Sequence, residues 1–385
     1  MAHYLDHNAA TPLLPEAREA MLRSWQDGYG NPSSLHGQGR SARSHLEEAR
    51  EIVAGHLGCA PAQVIFTSGG TESDHLALRG VMAHPRTQKK RLLVSAFEHP
   101  AVLETARDLA KQGFESVFIP PGEDGTISPD ALAGLLNDET ALVSVLLAHN
   151  EIGTVQPIAE LASLARNGGA LFHTDAVQAL GKLGPLNAAS LGVDLMSLSG
   201  HKIGGPKGVG ALFLRPGTPF KAMQLGGPQE RQFRAGTENV AACLGMAAAL
   251  QVWERRGEEW RRRMRDARDA FETQLMQFYP ETEINGAGAE RLPNTSHITL
   301  PYCPSDLMVA ALDLRGVQIS AGSACASGSV KVSQAMLAMG KDKSRSRCVL
   351  RFSLGPDDGA EKMADIANIV AQTARRVKLP DPSHF

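Results

Sequence analysis

The sequence predicts an α/β fold: a large domain on a mostly parallel sheet covered by helices, followed by a smaller α+β domain. Short apolar runs alternate with helical patterns through the first two-thirds of the chain, as helix-covered parallel sheets require. A long helical stretch then gives way to a mixture of short strands and helices. At 385 residues the chain is also too long for one ordinary domain.

In order, the strand-like runs are Val64 to Thr67, Leu92 to Phe97, Val117 to Ile119, Ala141 to Leu147, Ala170 to Thr174 and Val193 to Leu198. Helical patterns such as Pro100 to Lys111 and Ile158 to Arg166 lie between them. A helical stretch from Asn239 to about Phe278 follows, with Gly257 as an expected break and Pro280 as its stop. Beyond it come strand-like Ser296 to Leu300, helical Ser305 to Leu314, strand-like Val317 to Ile319 and Val349 to Ser353, and a last helix from about Asp357 to Val377. The smaller domain is expected to hinge on the larger one near residue 256.

Composition excludes several classes. A net charge of −2 with evenly mixed signs gives no electrostatic case for nucleic acid. The Arg-rich run from Arg255 to Arg268 is interleaved with acids and reads as a solvated helix face. Five scattered cysteines (Cys59, Cys243, Cys303, Cys325, Cys348) include no C-x-x-C pair, so neither a disulfide framework nor a zinc site is expected. The N-terminus lacks a signal-peptide pattern, and the longest apolar stretch, Ala241 to Val252, is too short to span a membrane. A cytoplasmic setting is the expectation.

The chemistry gathers where strands end, which is where ligands sit in such sheets. The run S-L-S-G-H-K delivers Lys202 from a strand into a glycine-rich turn, where partial burial makes an amine a usable Schiff-base nucleophile. The glycines are not a P-loop, because Pro206 follows Gly205 where a Lys and a Ser or Thr belong. Strand Ala170 to Thr174 leads into Asp175, either a helix cap or a partner for a protonated ring nitrogen, with Gln178 just beyond. Val64 to Thr67 opens into S-G-G-T-E-S, where Gly70 and Thr71 suit an anion at a helix N-terminus; Thr71 with Asp74 also fits a capping box. His99 and Asn150 end two further strands, one offering an acid/base and a flat ring, the other a neutral hydrogen-bonding side chain. A pyridoxal phosphate pocket explains these five strand ends together.

Cys325 sits in S-A-G-S-A-C-A-S-G-S-V, a run of small residues that suits an exposed thiol on a flexible loop and not a buried one. Arg351, on an otherwise apolar strand, suits bidentate binding of a substrate carboxylate.

The motifs Y-L-D-H-N-A-A-T-P, F-T-S-G-G-T-E-S, E-H-P-A-V, N-E-I-G, D-A-V-Q, S-G-H-K-I-G-G-P-K-G, R-A-G-T-E-N, G-S-A-C and L-R-F-S-L-G span essentially the whole chain. On them it resembles the NifS/IscS-like cysteine desulfurases of the class V aminotransferase superfamily. The resemblance implies a PLP-dependent transferase (aspartate aminotransferase-like) fold. Residues 14–256 would form the large PLP-binding domain, and residues 1–13 with 257–385 the small domain carrying Cys325.

By the same resemblance Lys202 holds the cofactor and moves protons, His99 stacks on its ring, and Asp175 meets the pyridine nitrogen. Gln178 and Asn150 contact ring substituents. Gly70, Thr71, Ser199, Gly200 and His201 hold the phosphate, and Thr237 reaches the phosphate of a partner subunit, which implies a homodimer. Arg351, with Asn8 or Asn31, orients L-cysteine. The products would be L-alanine and a Cys325 persulfide, whose sulfur passes to an acceptor such as an iron–sulfur scaffold. A selenocysteine lyase or a small-substrate aminotransferase is the alternative within the family, and a PLP-fold binding protein the alternative outside catalysis. Two departures stand out: His149 occupies the place of a second Asn before N-E-I-G, and the acidic-Pro pair common after the catalytic cysteine is missing. The tail after Val377 is also shorter than in housekeeping relatives that dock a scaffold.

Overall fold

A computed structural model of the chain describes residues 2–322 and 332–380. Its centre is a seven-stranded sheet. The strands of the chain are β1 (His3–Tyr4), β2 (Val64–Thr67), β3 (Arg91–Ser95), β4 (Glu115–Ile119), β5 (Thr140–Ser144), β6 (Leu171–Asp175), β7 (Leu195–Ser199), β8 (Gly210–Leu214), β9 (Glu283–Ile284), β10 (Thr295–Thr299), β11 (Val317–Gln318) and β12 (Val349–Ser353). The large sheet runs β2-β8-β7-β6-β5-β3-β4, and β8 alone lies antiparallel to its neighbours. Strands β2, β3, β5, β6 and β7 therefore end at the same rim. Between β3 and β5 the strand order reverses, which opens a crevice at the carboxyl ends.

Helices α1 (Pro15–Asp27), α2 (Gly37–Leu57), α3 (Gly70–Met82), α4 (Pro100–Lys111), α5 (Pro129–Ala133), α6 (Ile158–Asn167) and α7 (Ala188–Leu191) accompany the sheet. Their cover explains the strand composition: a parallel sheet buried on both faces needs apolar side chains in both directions. Val94, Leu142, Val143 and Leu195 are fully buried accordingly, each contributing about 1.5–3 kcal/mol.

The long helix α8 (Val240–Phe278) runs unbroken through Gly257, where the sequence suggested an interruption. A Cβ at Gly257 would lie 2.7 Å from the Arg261 guanidinium and 3.3 Å from the Trp253 ring, so the helix packs tightly there. That packing offsets the roughly 1 kcal/mol that glycine costs inside a helix. The expected hinge near residue 256 thus falls within one continuous helix.

Strands β9, β10 and β12 form an antiparallel sheet, and β1 pairs with β11. Helices α9 (Ser305–Asp313), α10 (Gln334–Ala338) and α11 (Ala360–Val377) complete this part, with α11 packed along α8. The N-terminal segment belongs to it too: Asp6 bridges to Ser353. One apolar core continues across both parts, from Val143 and Phe172 to Phe352 and Ile366. Among the described residues no helix is long and apolar enough to cross a membrane.

Candidate active site

Lys202 closes a single turn, Gly200–Lys202, that leaves β7 directly. The chain must then double back into β8, and Gly204 does so at φ +82°, a conformation that favours glycine. The N-terminal segment locks the turn from outside. Thr11 Oγ1 donates to the Lys202 carbonyl at 3.1 Å, and the Thr11 N–H donates to the His201 carbonyl at 3.1 Å. The Lys202 amine donates to the carbonyls of Asn8 (2.6 Å) and Ala9 (2.9 Å).

Asp175 ends β6 beside it, 8% exposed, with Oδ1 accepting from the Val177 N–H at 2.8 Å. Among the described residues no cation makes an ion pair with this carboxylate. Burial raises its pKa, while His99 and Lys202 oppose the rise. Two more buried acids stand behind it. Burial holds Asp74 and Glu98 well above the carboxylate range, and the charge of Asp175 adds to both shifts. Glu98 accepts from Ser95 Oγ (2.7 Å) and the Leu146 N–H (2.6 Å), and Asp74 Oδ1 lies 3.6 Å from His173 Nε2. Like charges in one low-dielectric region cannot all ionise. Of the three, Asp175 has cationic groups nearby and is the one placed to carry charge.

His99 caps α4, with Nδ1 accepting from the Ala101 N–H at 3.1 Å. An accepting Nδ1 leaves the proton of the neutral ring on Nε2. Burial lowers its pKa, Asp175 raises it and Lys202 lowers it, so the three groups share one electrostatic environment.

Gly70 begins α3 and sits against β7: a Cβ there would lie 2.6 Å from Val177 Cγ2 and 3.8 Å from Ser199 Cβ. The first-turn N–H groups of Gly70 and Thr71 lack intrahelical acceptors, as at any helix start. Thr71 is exposed on that turn. It shares no capping box with Asp74, which is buried in the interior, because Gly69 holds the cap position. Nearby Ser199 Oγ and His201 Nδ1 are 2.8 Å apart, and burial with the adjacent Lys202 pulls the His201 pKa down to about 4. Small residues, a hydroxyl and helix N–H groups make an anion cradle here.

Arg351 is 1% exposed and lies at the same rim, its Nη2 on Asp6 Oδ1 (2.8 Å) and its Nη1 on the Asn150 carbonyl (3.0 Å). Asn150 reaches this cluster through its backbone carbonyl, which also accepts from Asn8 Nδ2 at 3.3 Å. Asn8, 1% exposed, has its amide engaged within the protein. Nδ2 meets Thr295 Oγ1 (2.8 Å), and Oδ1 meets Asn294 Nδ2 (3.0 Å) and Lys182 Nζ (3.1 Å). Gln178 Nε2 donates to the Asn8 carbonyl at 2.8 Å.

The structure does not bring Asn31 into this group: it is exposed, and its Oδ1 accepts from the Ser33 N–H in its own turn. Thr237 is also exposed, three residues beyond Arg234, whose pairing with Glu72 at 2.8 Å ties that segment to the start of α3. Cys325 lies outside the described residues. Sequence reasoning missed Thr11, Lys182 and Asn294, which hydrogen-bond the named residues from behind. Only the four-residue spacing of Gln178 and Lys182 could have pointed to any of them.

These residues fit pyridoxal phosphate on their own chemistry. A buried carboxylate that, among the described residues, makes no ion pair suits a protonated ring nitrogen, a rim amine suits a carbonyl carbon, and the α3 cradle suits a phosphate.

Comparison with known proteins agrees. The family model for aminotransferase class-V matches residues 3–365. The cysteine desulfurase IscS of Dictyoglomus turgidum is 42% identical over 352 residues, covering 91% of this chain and 89% of its own. An IscS-like cysteine desulfurase of Mycobacterium tuberculosis is 43% identical over 359 residues, 91% of each chain. The solved structure of a NifS-like protein superposes with a TM-score of 0.91 at 32% identity, covering 98% of this chain and 100% of that one.

Proposed function

The chain belongs to the class-V aminotransferase family, and we propose on that basis how its residues carry out pyridoxal phosphate-dependent cysteine desulfuration. The enzyme is a cysteine desulfurase: L-cysteine and a protein thiol yield L-alanine and a protein persulfide. The Cβ–S bond of the substrate breaks, an S–S bond forms on the enzyme, and a proton replaces sulfur on Cβ. Relatives bearing this name favour it over a selenocysteine lyase or a small-substrate aminotransferase.

When bound, pyridoxal phosphate supplies an electron sink that makes the Cα proton of an attached amino acid removable. Lys202 supplies the amine that anchors it, then takes the Cα proton with the same nitrogen. Asp175, kept as the charged member of its acid group, holds the ring nitrogen protonated. His99 stacks on the ring and passes protons through Nε2. Gly70, Thr71, Ser199, Gly200 and His201 hold the phosphate, while Gln178 and Asn150 contact the ring substituents.

Arg351 turns its guanidinium from Asp6 toward the substrate carboxylate, with Asn8 fixing the surrounding network. The thiol of Cys325 takes the sulfur and passes it to an acceptor protein. In a homodimer, Thr237 of one subunit completes the phosphate site of the other, and Asn31 gains a place beside the substrate. A cytoplasmic iron–sulfur scaffold is the acceptor that fits the family.

The observation that carries this reading is the convergence of Lys202, Asp175 and His99 on one rim of the sheet, at the ends of β7, β6 and β3. It is tested by incubating the protein with L-cysteine and mapping added sulfur by mass spectrometry, alongside an assay for L-alanine. An adduct on Cys325, matched by L-alanine and lost in Cys325→Ser, is expected. Sulfur transfer to an acceptor that persists in Cys325→Ser would overturn it.

A further inference from the structure

Lys182 is a buried amine that the chemistry above leaves without a task. The residue is 3% exposed, and among the described residues the charged groups facing it are Lys202 and Arg351, both of its own sign. The imidazoles of His7 and His201 also feel its charge. The amine donates to Gln178 Oε1 at 2.7 Å and to Asn8 Oδ1 at 3.1 Å. Gln178 Nε2 in turn donates to the Asn8 carbonyl at 2.8 Å, closing a ring of three residues. The same carbonyl accepts from the Lys202 amine at 2.6 Å.

An amide side chain has an oxygen and a nitrogen of nearly equal size, and only its partners decide which way it points. Lys182 settles that choice at Gln178, because a donating amine selects Oε1 and leaves Nε2 for Asn8. At Asn8 it acts with Asn294 and Thr295, which together distinguish Oδ1 from Nδ2. Burial, reinforced by Lys202 and Arg351, holds the Lys182 amine well below the usual lysine range. An apolar residue of similar length would spare the cost of burying an amine that has no counter-ion among the described residues. Stability alone therefore does not explain a lysine at this position.

We propose that Lys182 is a positioning residue: it fixes the Gln178 amide and the Asn8 carbonyl, and through them the amine of Lys202. The proposal rests on Lys202 being the cofactor-bearing lysine.

The test compares holoenzymes of Lys182→Met, Lys182→Gln, Gln178→Ala and the double variant Lys182→Met with Gln178→Ala. For each, kcat, KM for L-cysteine, the thermal midpoint and the pH midpoint of the visible cofactor band are measured. Lys182→Met is expected to keep or raise the thermal midpoint while shifting the band's pH midpoint and lowering kcat about ten-fold, with KM nearly unchanged. Lys182→Gln, which can still donate, should recover most of the loss. The double variant should fall no further than the worse single one, since residues acting through each other are not additive. A wild-type band and kcat in Lys182→Met would overturn the proposal, as would additive losses or losses that track the thermal midpoint. A wild-type holoenzyme without a lysine-linked band would instead sink the assignment of Lys202 itself.

Discussion

His149 shows how a departure from the family pattern becomes a structural part. Its ring stacks on Phe97 with centroids 4.7 Å apart, and its Nδ1 accepts from the N–H groups of Glu151 and Ile152, each at 3.1 Å. A ring N–H also bonds the Phe97 backbone carbonyl. The imidazole thus joins the segment leading to His99 to the turn whose Asn150 carbonyl holds Arg351. Full burial is the main cause that lowers its pKa from 6.5 to about 3, so it stays neutral in the fold. A depressed histidine pKa supports the fold above pH 6.5, and that support is lost as pH falls toward 3. The loss amounts to about 2 kcal/mol between pH 6.5 and 5. Urea unfolding at pH 7 and pH 5 is expected to show a steeper loss in the wild type than in His149→Asn. Equal slopes would show that this imidazole does not titrate as its burial dictates.

At the scale of elements, the loop between β8 and α8 is held by a buried clamp as well as by the Arg234–Glu72 pair. Arg50 of α2 grips Glu230 through two hydrogen bonds, at 2.7 and 2.9 Å, and Glu230 also accepts from the Phe66 N–H of β2 at 2.9 Å. Glu230, Arg231 and Gln232 all have positive φ (43°, 56° and 67°), a run that ordinary residues resist by roughly 1–2 kcal/mol each. The buried ion pair holds the chain there, and the same loop leads through Arg234 to Thr237. Arg50→Ala would leave the Glu230 carboxylate buried and unpaired, at a cost of about 3–5 kcal/mol. The thermal midpoint should fall accordingly, and retention of wild-type stability would show that the clamp does not hold the loop. Such a clamp is hard to read in sequence, because its partners stand 180 residues apart.

Across the whole molecule, the ends of β2, β6, β7 and β12 were legible to within a residue because polar residues close those runs. The apolar runs to Phe97 and Leu147 instead continue past β3 and β5, which end at Ser95 and Ser144. Val64–Thr67 and Val349–Ser353 match their strands residue for residue, and Lys202, Asp175, His99 and Gly70 follow from them. The framework behind the site was less legible. Asn8 and Thr11 come from the N-terminal segment and Asn294 from the strand-rich part beyond α8; only the folded chain brings them to Lys182 and Lys202. Thr237 and Asn31 are exposed and lie apart from the cluster around Lys202, so no contact with that cluster, among the described residues, marks either of them out.

Lys202 and Lys182 are thus two amines joined through Asn8, one at the rim and one buried. The central claim is that the rim amine bears the cofactor. Borohydride reduction of the holoenzyme, which fixes pyridoxal phosphate to its lysine, followed by peptide mass mapping, tests this directly. The adduct is expected on the peptide carrying Lys202 and absent from Lys202→Ala. An adduct on Lys182 or any other lysine of the wild type, or none at all, would contradict it.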